Sequence, residues 1–302
     1  MKMAHALSGL AVGLAICASP ALAQETDGVV PTDSGSPLLE GGKLLLTNGV
    51  SSLEGTSGGG IATWATIGGL ETDSGIGLSG HVTLVELPDL GWQSHGVAIG
   101  IANRLELSYA RQNFDTREVG TALGLGEGYT FNQDVFGAKV RLVGDLVYGE
   151  PLLPQVSIGI QHKRSRDAAV VRAVGAGSAK GTDFFASASK LFLSHSVLAS
   201  ATVRYTSGNQ GGLLGFGNAS GEGRELQFEG SVAYQLSRRA VLGAEFRSKP
   251  DNLGLGEDDW MDVFAAYALT DNITLTAGYA DLGSITTFDD QRGGLLSAQV
   301  AF

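Results

Sequence analysis

The 302-residue sequence carries 20 Lys and Arg against 31 Asp and Glu, for a net charge of −11, with 45 glycines and a single cysteine. The acidic balance argues against a nucleic-acid partner held through phosphate contacts, and one cysteine rules out a disulfide framework. So much glycine disfavours a fold of long helices.

The first 23 residues read as a secretory signal peptide. Lys2 precedes an apolar run from Ala6 to Ala18, and Ala21-Leu22-Ala23 supplies a small-residue cleavage site before Gln24. The run is too short for a membrane-spanning helix. Lipidation at Cys17 is disfavoured because Ile16, rather than a small residue, precedes it. Cleavage after Ala23 removes Lys2 and Cys17, leaving 19 basic residues against 31 acidic ones, a net charge of −12, and no cysteine. Residues 24–42, rich in Gly, Pro, Ser and Thr, read as a flexible periplasmic leader.

From Lys43 to Phe302 the dominant signal is alternation at period two, which marks strands with one apolar and one polar face. It recurs near Leu44, Ile61, Leu78, Val97 and Leu105, then over 136–145 and 155–163, and near Phe184 and Val197. It returns over 225–236, near Ala240 and Met261, over 273–279 and over 296–302. This predicts about fourteen strands (12–14), most near the roughly 9–11 residues that cross a bilayer with tilt. No stretch after the signal peptide is apolar enough for a helical span.

The connections alternate short and long from about Leu105 onward. Residues 102–103, 148–153, 192–194, 237–239 and 270–271 are short, and 113–133, 164–181, 207–224, 249–258 and 284–292 are long. A soluble β-sandwich has no reason for this asymmetry, whereas outer-membrane barrels have short periplasmic turns and longer outer loops. Aromatics agree. Tyr109, Tyr205 and Tyr279 fall on the apolar parity near the outer strand ends, and Tyr234, Tyr267 and Phe302 near the inner ends, as two interfacial girdles would. The expected fold is therefore an all-β, transmembrane, antiparallel up-and-down barrel in the bacterial outer membrane. Terminal Phe302, after alternating apolar residues, is the expected signal to the outer-membrane insertion machinery.

The polar parity carries Arg104, Glu106, Lys139, Arg141, Asp145, Lys163, Arg204, Glu229, Glu245, Arg247 and Asp262. A basic residue among these would cost about 2–4 kcal/mol on the lipid side at mid-membrane, so the set is expected to line the lumen. Loop 113–133 is expected to form a short helix, capped by Thr116 and carrying Val119, Ala122 and Leu123, folded into the mouth. Asp115, Arg117 and Glu118 would then face Glu106, Lys139 and Arg141. A loop held outside the mouth is the alternative.

No catalytic constellation emerges, and neither a cofactor nor a metal is expected. Ser194-His195-Ser196 is best read as a polar turn, since sequence adjacency does not make a triad. The glycines of 124–128 and 215–223 lack the strand–loop–helix setting and the Lys-Ser/Thr of a phosphate loop. The acidic runs Glu257-Asp258-Asp259 and Asp289-Asp290 are read as solvated loop charge. Loop 164–181 is basic, with Arg164, Arg166, Arg172 and Lys180 against Asp167, a pattern suited to contacting lipopolysaccharide phosphates or steering anions, and also common as loop solubilisation.

Several blocks, among them KLLLTNGVSSLEG, GTDFFASASKLFL, EDDWMDVFAAYA and DQRGGLLSAQ, run from Lys43 to the end. In them the chain resembles a Gram-negative family catalogued as domain of unknown function 3034. The resemblance implies an outer-membrane-type barrel and brings no activity with it. The expected partners are outer-membrane lipid, lipopolysaccharide and the insertion machinery, with homo-oligomerisation left open. The leading functional expectation is a channel for small solutes or a secreted polymer. A non-conducting structural or adhesive barrel with a sealed lumen is the alternative.

Overall fold

The computed structural model describes residues 41–302 apart from 123, 222 and 287; the expected signal peptide and all but the last two residues of the expected leader lie outside them. Twelve strands are formed among the described residues: β1 Ile76–Glu86, β2 Gly91–Ile101, β3 Leu105–Asp115, β4 Thr130–Val143, β5 Gln155–Ser165, β6 Lys180–Phe192, β7 Val197–Thr206, β8 Glu225–Ser237, β9 Ala240–Arg247, β10 Trp260–Ala268, β11 Ile273–Asp281 and β12 Arg292–Ala301. Each pairs antiparallel with its sequence neighbours. β1 then pairs with β12, from Ser79↔Ala301 to Glu86↔Gly294, and closes the barrel.

Alternation shows directly in burial. Along β10, Trp260, Asp262, Phe264, Ala266 and Ala268 are buried while Met261, Val263, Ala265 and Tyr267 are exposed. Leu78, Val97, Leu107, Phe136, Ile160, Phe184, Val203, Phe228, Val232, Phe246 and Leu296 stand exposed on the outward parity of the other strands. A continuous apolar exterior of this extent is stable only in lipid. No described helix is long and apolar enough to cross a membrane; the strands cross instead. Residues 102–104, 193–196, 238–239 and 269–272 make the tight connections at one end, with 144–154. The opposite end carries 87–90, 116–129, 166–179, 207–224, 248–259 and 282–291.

The two alternating runs near Leu44 and Ile61 are not strands, which is why the count is twelve rather than fourteen. Residues 43–71 lie inside the barrel. Gly41 bridges Glu71, and the Gly42 amide donates to the Leu70 carbonyl at 2.8 Å, so the two arms of the segment meet. That junction sits at the short-connection end, where the Leu70 amide donates to the Phe302 carbonyl at 2.9 Å. Leu46, Val50 and Trp64 pack at this level against Leu146, Leu191, Leu198, Val241 and Phe264. Leu53 and Ile61 reach the far end, among Trp92, Phe114, Phe131, Leu213, Trp260 and Leu282. The segment therefore rises from the periplasmic end, turns, and returns before β1 begins.

Its glycines make that path. Gly49 takes φ +95°, in the left-handed region, and a Cβ on Gly58 would stand 2.4 Å from the Ala62 carbonyl oxygen. Closure through β1 and β12 leaves no free sheet edge for the segment to join.

Candidate functional site

The lumen, the expected site, is occupied by residues 43–71. A few of their backbone polar groups pair within the segment, the Val50 amide with the Gly58 carbonyl at 2.9 Å and the Trp64 amide with that of Ser57 at 3.2 Å, and inward side chains of the wall satisfy many of the rest. Alternate residues of the returning arm are held at both amide and carbonyl. The Ile61 amide donates to Glu245 Oε2 at 3.0 Å, and its carbonyl accepts from Arg247 at 3.1 Å. The Thr63 amide donates to Glu229 Oε2 and its carbonyl accepts from Thr202, both at 2.8 Å. The Ala65 amide donates to Ser189 Oγ at 2.8 Å, and its carbonyl accepts from Ser157 at 2.6 Å and Gln155 at 2.7 Å. On the rising arm, Thr276 donates to the Val50 carbonyl at 2.6 Å, and Ser94 and Gln112 donate to that of Leu53 at 2.7 and 2.6 Å.

Charge is concentrated at two buried nodes. In the first, Glu54 of the segment meets Lys163 at 2.6 Å, Arg247 at 2.9 Å and Arg204 at 3.5 Å. Asp183 pairs with Lys163 at 2.8 Å, and Glu229 with Arg204. Three cations thus face three carboxylates, all nearly free of solvent contact. In the second, Glu106 accepts from the Gly68 amide at 2.7 Å and from Thr56, and pairs with Lys139 at 3.2 Å. The Lys139 ammonium also donates to the Trp64 carbonyl at 3.2 Å. Glu245 and Asp262 are cross-strand neighbours on β9 and β10, both buried.

The base of the segment is an ion pair at the periplasmic rim. Lys43 lies 3.3 Å from Glu71 and donates to the Ile67 carbonyl at 2.7 Å. Burial pushes the Lys43 ammonium down to about 8, and burial raises the Glu71 carboxyl. In the outer loops Lys249 and Glu257 pair at 3.0 Å, burial lowering the first and raising the second.

Glu106, Lys139, Arg141, Lys163, Arg204, Glu229, Glu245, Arg247 and Asp262 are all buried on the inward parity. Arg141 stands near the periplasmic end, 2.8 Å from Asp73 and 3.4 Å from Asp145. Two of the expected lumen residues fall elsewhere. Arg104 is exposed in the tight turn 102–104, because β3 starts one residue later. Asp145 lies half-exposed in connection 144–154, where its carboxylate accepts from the Val147 and Tyr148 amides and so shapes the turn. Of the aromatics, Tyr205, Tyr234, Tyr267, Tyr279 and Phe302 are exposed, while Tyr109 is partly covered and donates to Asp134 at 2.9 Å.

The loop after β3 meets expectation in its helix and departs from it in its charges. A helical turn, α1 Val119–Ala122, forms there and Val119 is buried in the mouth. Thr116, however, donates to the Tyr129 carbonyl rather than capping the helix. Arg117 bonds Glu86 and the Leu87 carbonyl, and Glu118 is exposed. None of these faces Glu106, Lys139 or Arg141, because β3 runs on to Asp115, nine residues and about 30 Å of strand beyond Glu106. Connection 207–224 is longer, and it folds inward. Leu213, Leu214 and Phe216 are buried, and the Gly211 carbonyl accepts from Lys163 at 3.0 Å.

Sequence reasoning missed Lys43, Glu54, Trp64, Glu71 and Asp183. One signal was present: Gly58-Gly59-Gly60 interrupts the alternation, and three consecutive glycines suit close approach better than a strand.

A closed antiparallel barrel with an apolar exterior and a polar interior is an outer-membrane β-barrel protein, located in the bacterial outer membrane. The chain belongs to the family described as "Protein of unknown function (DUF3034)", which matches residues 47–299. No curated protein matches it. Among solved structures it is similar to the KdgM porin (10% identity, 74% of this chain and 99% of that one, TM-score 0.49). It is also similar to the NanC porin (12%, 74% and 98%, 0.48) and to outer membrane phospholipase A from Escherichia coli (11%, 74% and 95%, 0.40).

Proposed function

We propose that this protein is a sealed outer-membrane barrel, non-conducting in its resting state and shut by its own residues 43–71. The observation that carries the reading is the burial of that segment, with Val50, Leu53, Ile61, Trp64 and Ile67 each about 1% exposed or less. At the outer mouth Leu53 and Ile61 of the segment pack in one cluster with Trp92, Phe114, Phe131, Leu213, Trp260 and Leu282. The segment and the mouth residues thus occupy the lumen that the solute or polymer suggested by the sequence would have to cross. The reading is also non-enzymatic. Ser194 and His195 bond each other at 2.8 Å but stand exposed in a tight turn at the periplasmic end.

One observation favours a second reading, a channel gated by withdrawal of the segment. The wall behind it is polar and charged, although apolar packing of similar volume often makes a more stable permanent core. Planar-bilayer recording of the full chain, beside a deletion of residues 43–71, separates the two. Sealing predicts a silent parent and a conducting deletion; rare parent openings of the deletion's size would favour the gated channel. Steady conductance from the parent would refute sealing.

A further inference from the structure

The outward wall at the outer end of β4, β5 and β6 carries charge that the lumen does not use. Arg164, near the end of β5, and Lys180, at the start of β6, are direct cross-strand partners, and both are exposed. Arg172, in the short helix α2 Ala168–Ala173 above them, is exposed too. Among the described residues, none of the three forms an ion pair. Like charges placed opposite one another in an antiparallel pair are destabilising, so this arrangement lacks a counter-charge from within the protein.

The carboxylate directly across the ladder is already engaged. Asp134 is cross-strand from Arg164 on β4, but its oxygens already accept from Arg111 at 2.7 Å, Arg166 at 2.8 Å and Tyr109 at 2.9 Å. Arg164, Arg166, Arg172 and Lys180 surround an open cleft of about 440 Å³. The acidic loop residues Glu257, Asp258, Asp259, Asp289 and Asp290 follow β9 and β11, outside this cleft, so its positive character is local in a chain of net charge −11.

Height on the barrel says what the cleft meets. Tyr109 lies two residues below Arg111 on the same outward face, and Phe184 four residues below Lys180. Arg224 stacks over Phe184 and Tyr205, at 5.8 and 5.2 Å from the ring centroids. These rings sit where an apolar band meets headgroups. Two to four residues of strand, about 7–13 Å, carry the cations from that level to the height of the headgroup phosphates. Lipid is held at this height by the bilayer itself, and guanidinium groups bind phosphate oxygens through charge-assisted hydrogen bonds. We propose that the cleft binds the phosphates of a phosphorylated glycolipid of the outer leaflet, whose acyl chains lie against Phe136, Ile160 and Phe184.

The test uses the purified full chain in detergent, titrated by native mass spectrometry. The probes are bis-phosphorylated hexa-acyl lipid A, the same lipid enzymatically dephosphorylated, and inorganic phosphate. The phosphorylated lipid should bind at least about tenfold more tightly than the dephosphorylated one. Arg164→Glu with Lys180→Glu should abolish that preference, and the milder Arg164→Gln with Lys180→Gln should reduce it. Arg104→Glu, in the periplasmic turn, should leave it unchanged, with heat-modifiable gel migration showing that every barrel is folded. Equal affinity for the two lipids, or an unchanged preference in both double variants, would overturn the proposal. Inorganic phosphate displacing the lipid at equal concentration would also overturn it, by making the cleft a site for free anions.

Discussion

Replacing Glu54 by Gln is the sharpest perturbation of the seal. The side chain keeps its shape and loses its charge, while Lys163, Arg204 and Arg247 stay buried around it with only Asp183 and Glu229 to balance them. Removing one member of a buried ionic cluster costs roughly 3–5 kcal/mol. The barrel wall is held by twelve paired strands and does not depend on Glu54, so the cost falls on docking of residues 43–71. At about 1.4 kcal/mol per factor of ten, docking should weaken by roughly a hundred- to several-thousand-fold. The assay is the frequency of openings in a planar bilayer, alongside the rate at which a protease added from the periplasmic side cuts within 41–75. Both should rise steeply in Glu54→Gln. Lys163→Gln placed in the same chain restores equal numbers of cations and carboxylates, and should recover part of the loss through a measurable coupling. A cleavage rate within tenfold of the parent, or strictly additive losses in the double variant, would refute the reasoning.

Two further outcomes follow from the same geometry. Gly58→Ala sets a Cβ 2.4 Å from the Ala62 carbonyl oxygen, a backbone clash with no rotamer to relieve it, so the segment should lose its path while the barrel still folds. Cold gel migration should stay that of a folded barrel as protease sensitivity within 41–75 increases, and parent-like protection would count against the close approach. Lys43 supplies a pH dependence. Its ammonium is held at about 8 when docked and returns to the ordinary value of 10.5 when released, so the released state binds more protons between those limits. Docking should therefore strengthen as pH rises from about 8 towards 10.5. Protease protection measured across that range should climb in the parent and stay flat in Lys43→Met; identical slopes would sink this assignment.

Much of the wall was legible from the chain alone. Period-two alternation separates the faces of a strand, and the cost of placing charge in lipid turns Lys139, Lys163, Arg204 and Arg247 inward wherever Phe136, Ile160, Val203 and Phe246 face out. Those are local preferences, carried by each residue and its nearest neighbours. What fills the lumen is not local. The runs near Leu44 and Ile61 alternate much as a strand does, yet β1 and β12 close the ring without them, so their apolar side chains pack inside and wall residues bond their backbone. Arg104 shares the parity of Glu106 but is lost to a turn, because Ala102 and Asn103 adopt positive φ just before it. Loop 113–133 does turn into a short helix with Val119 in the mouth, but Asp115, Arg117 and Glu118 stand far from Glu106, Lys139 and Arg141 for the same kind of reason, since the extent of β3 is set by its pairing with β2 and β4 and not by its own residues. Sequence periodicity determined which face of each strand meets lipid; which segments complete the ring, and which are left to occupy it, was decided by the long-range pairing that closes it.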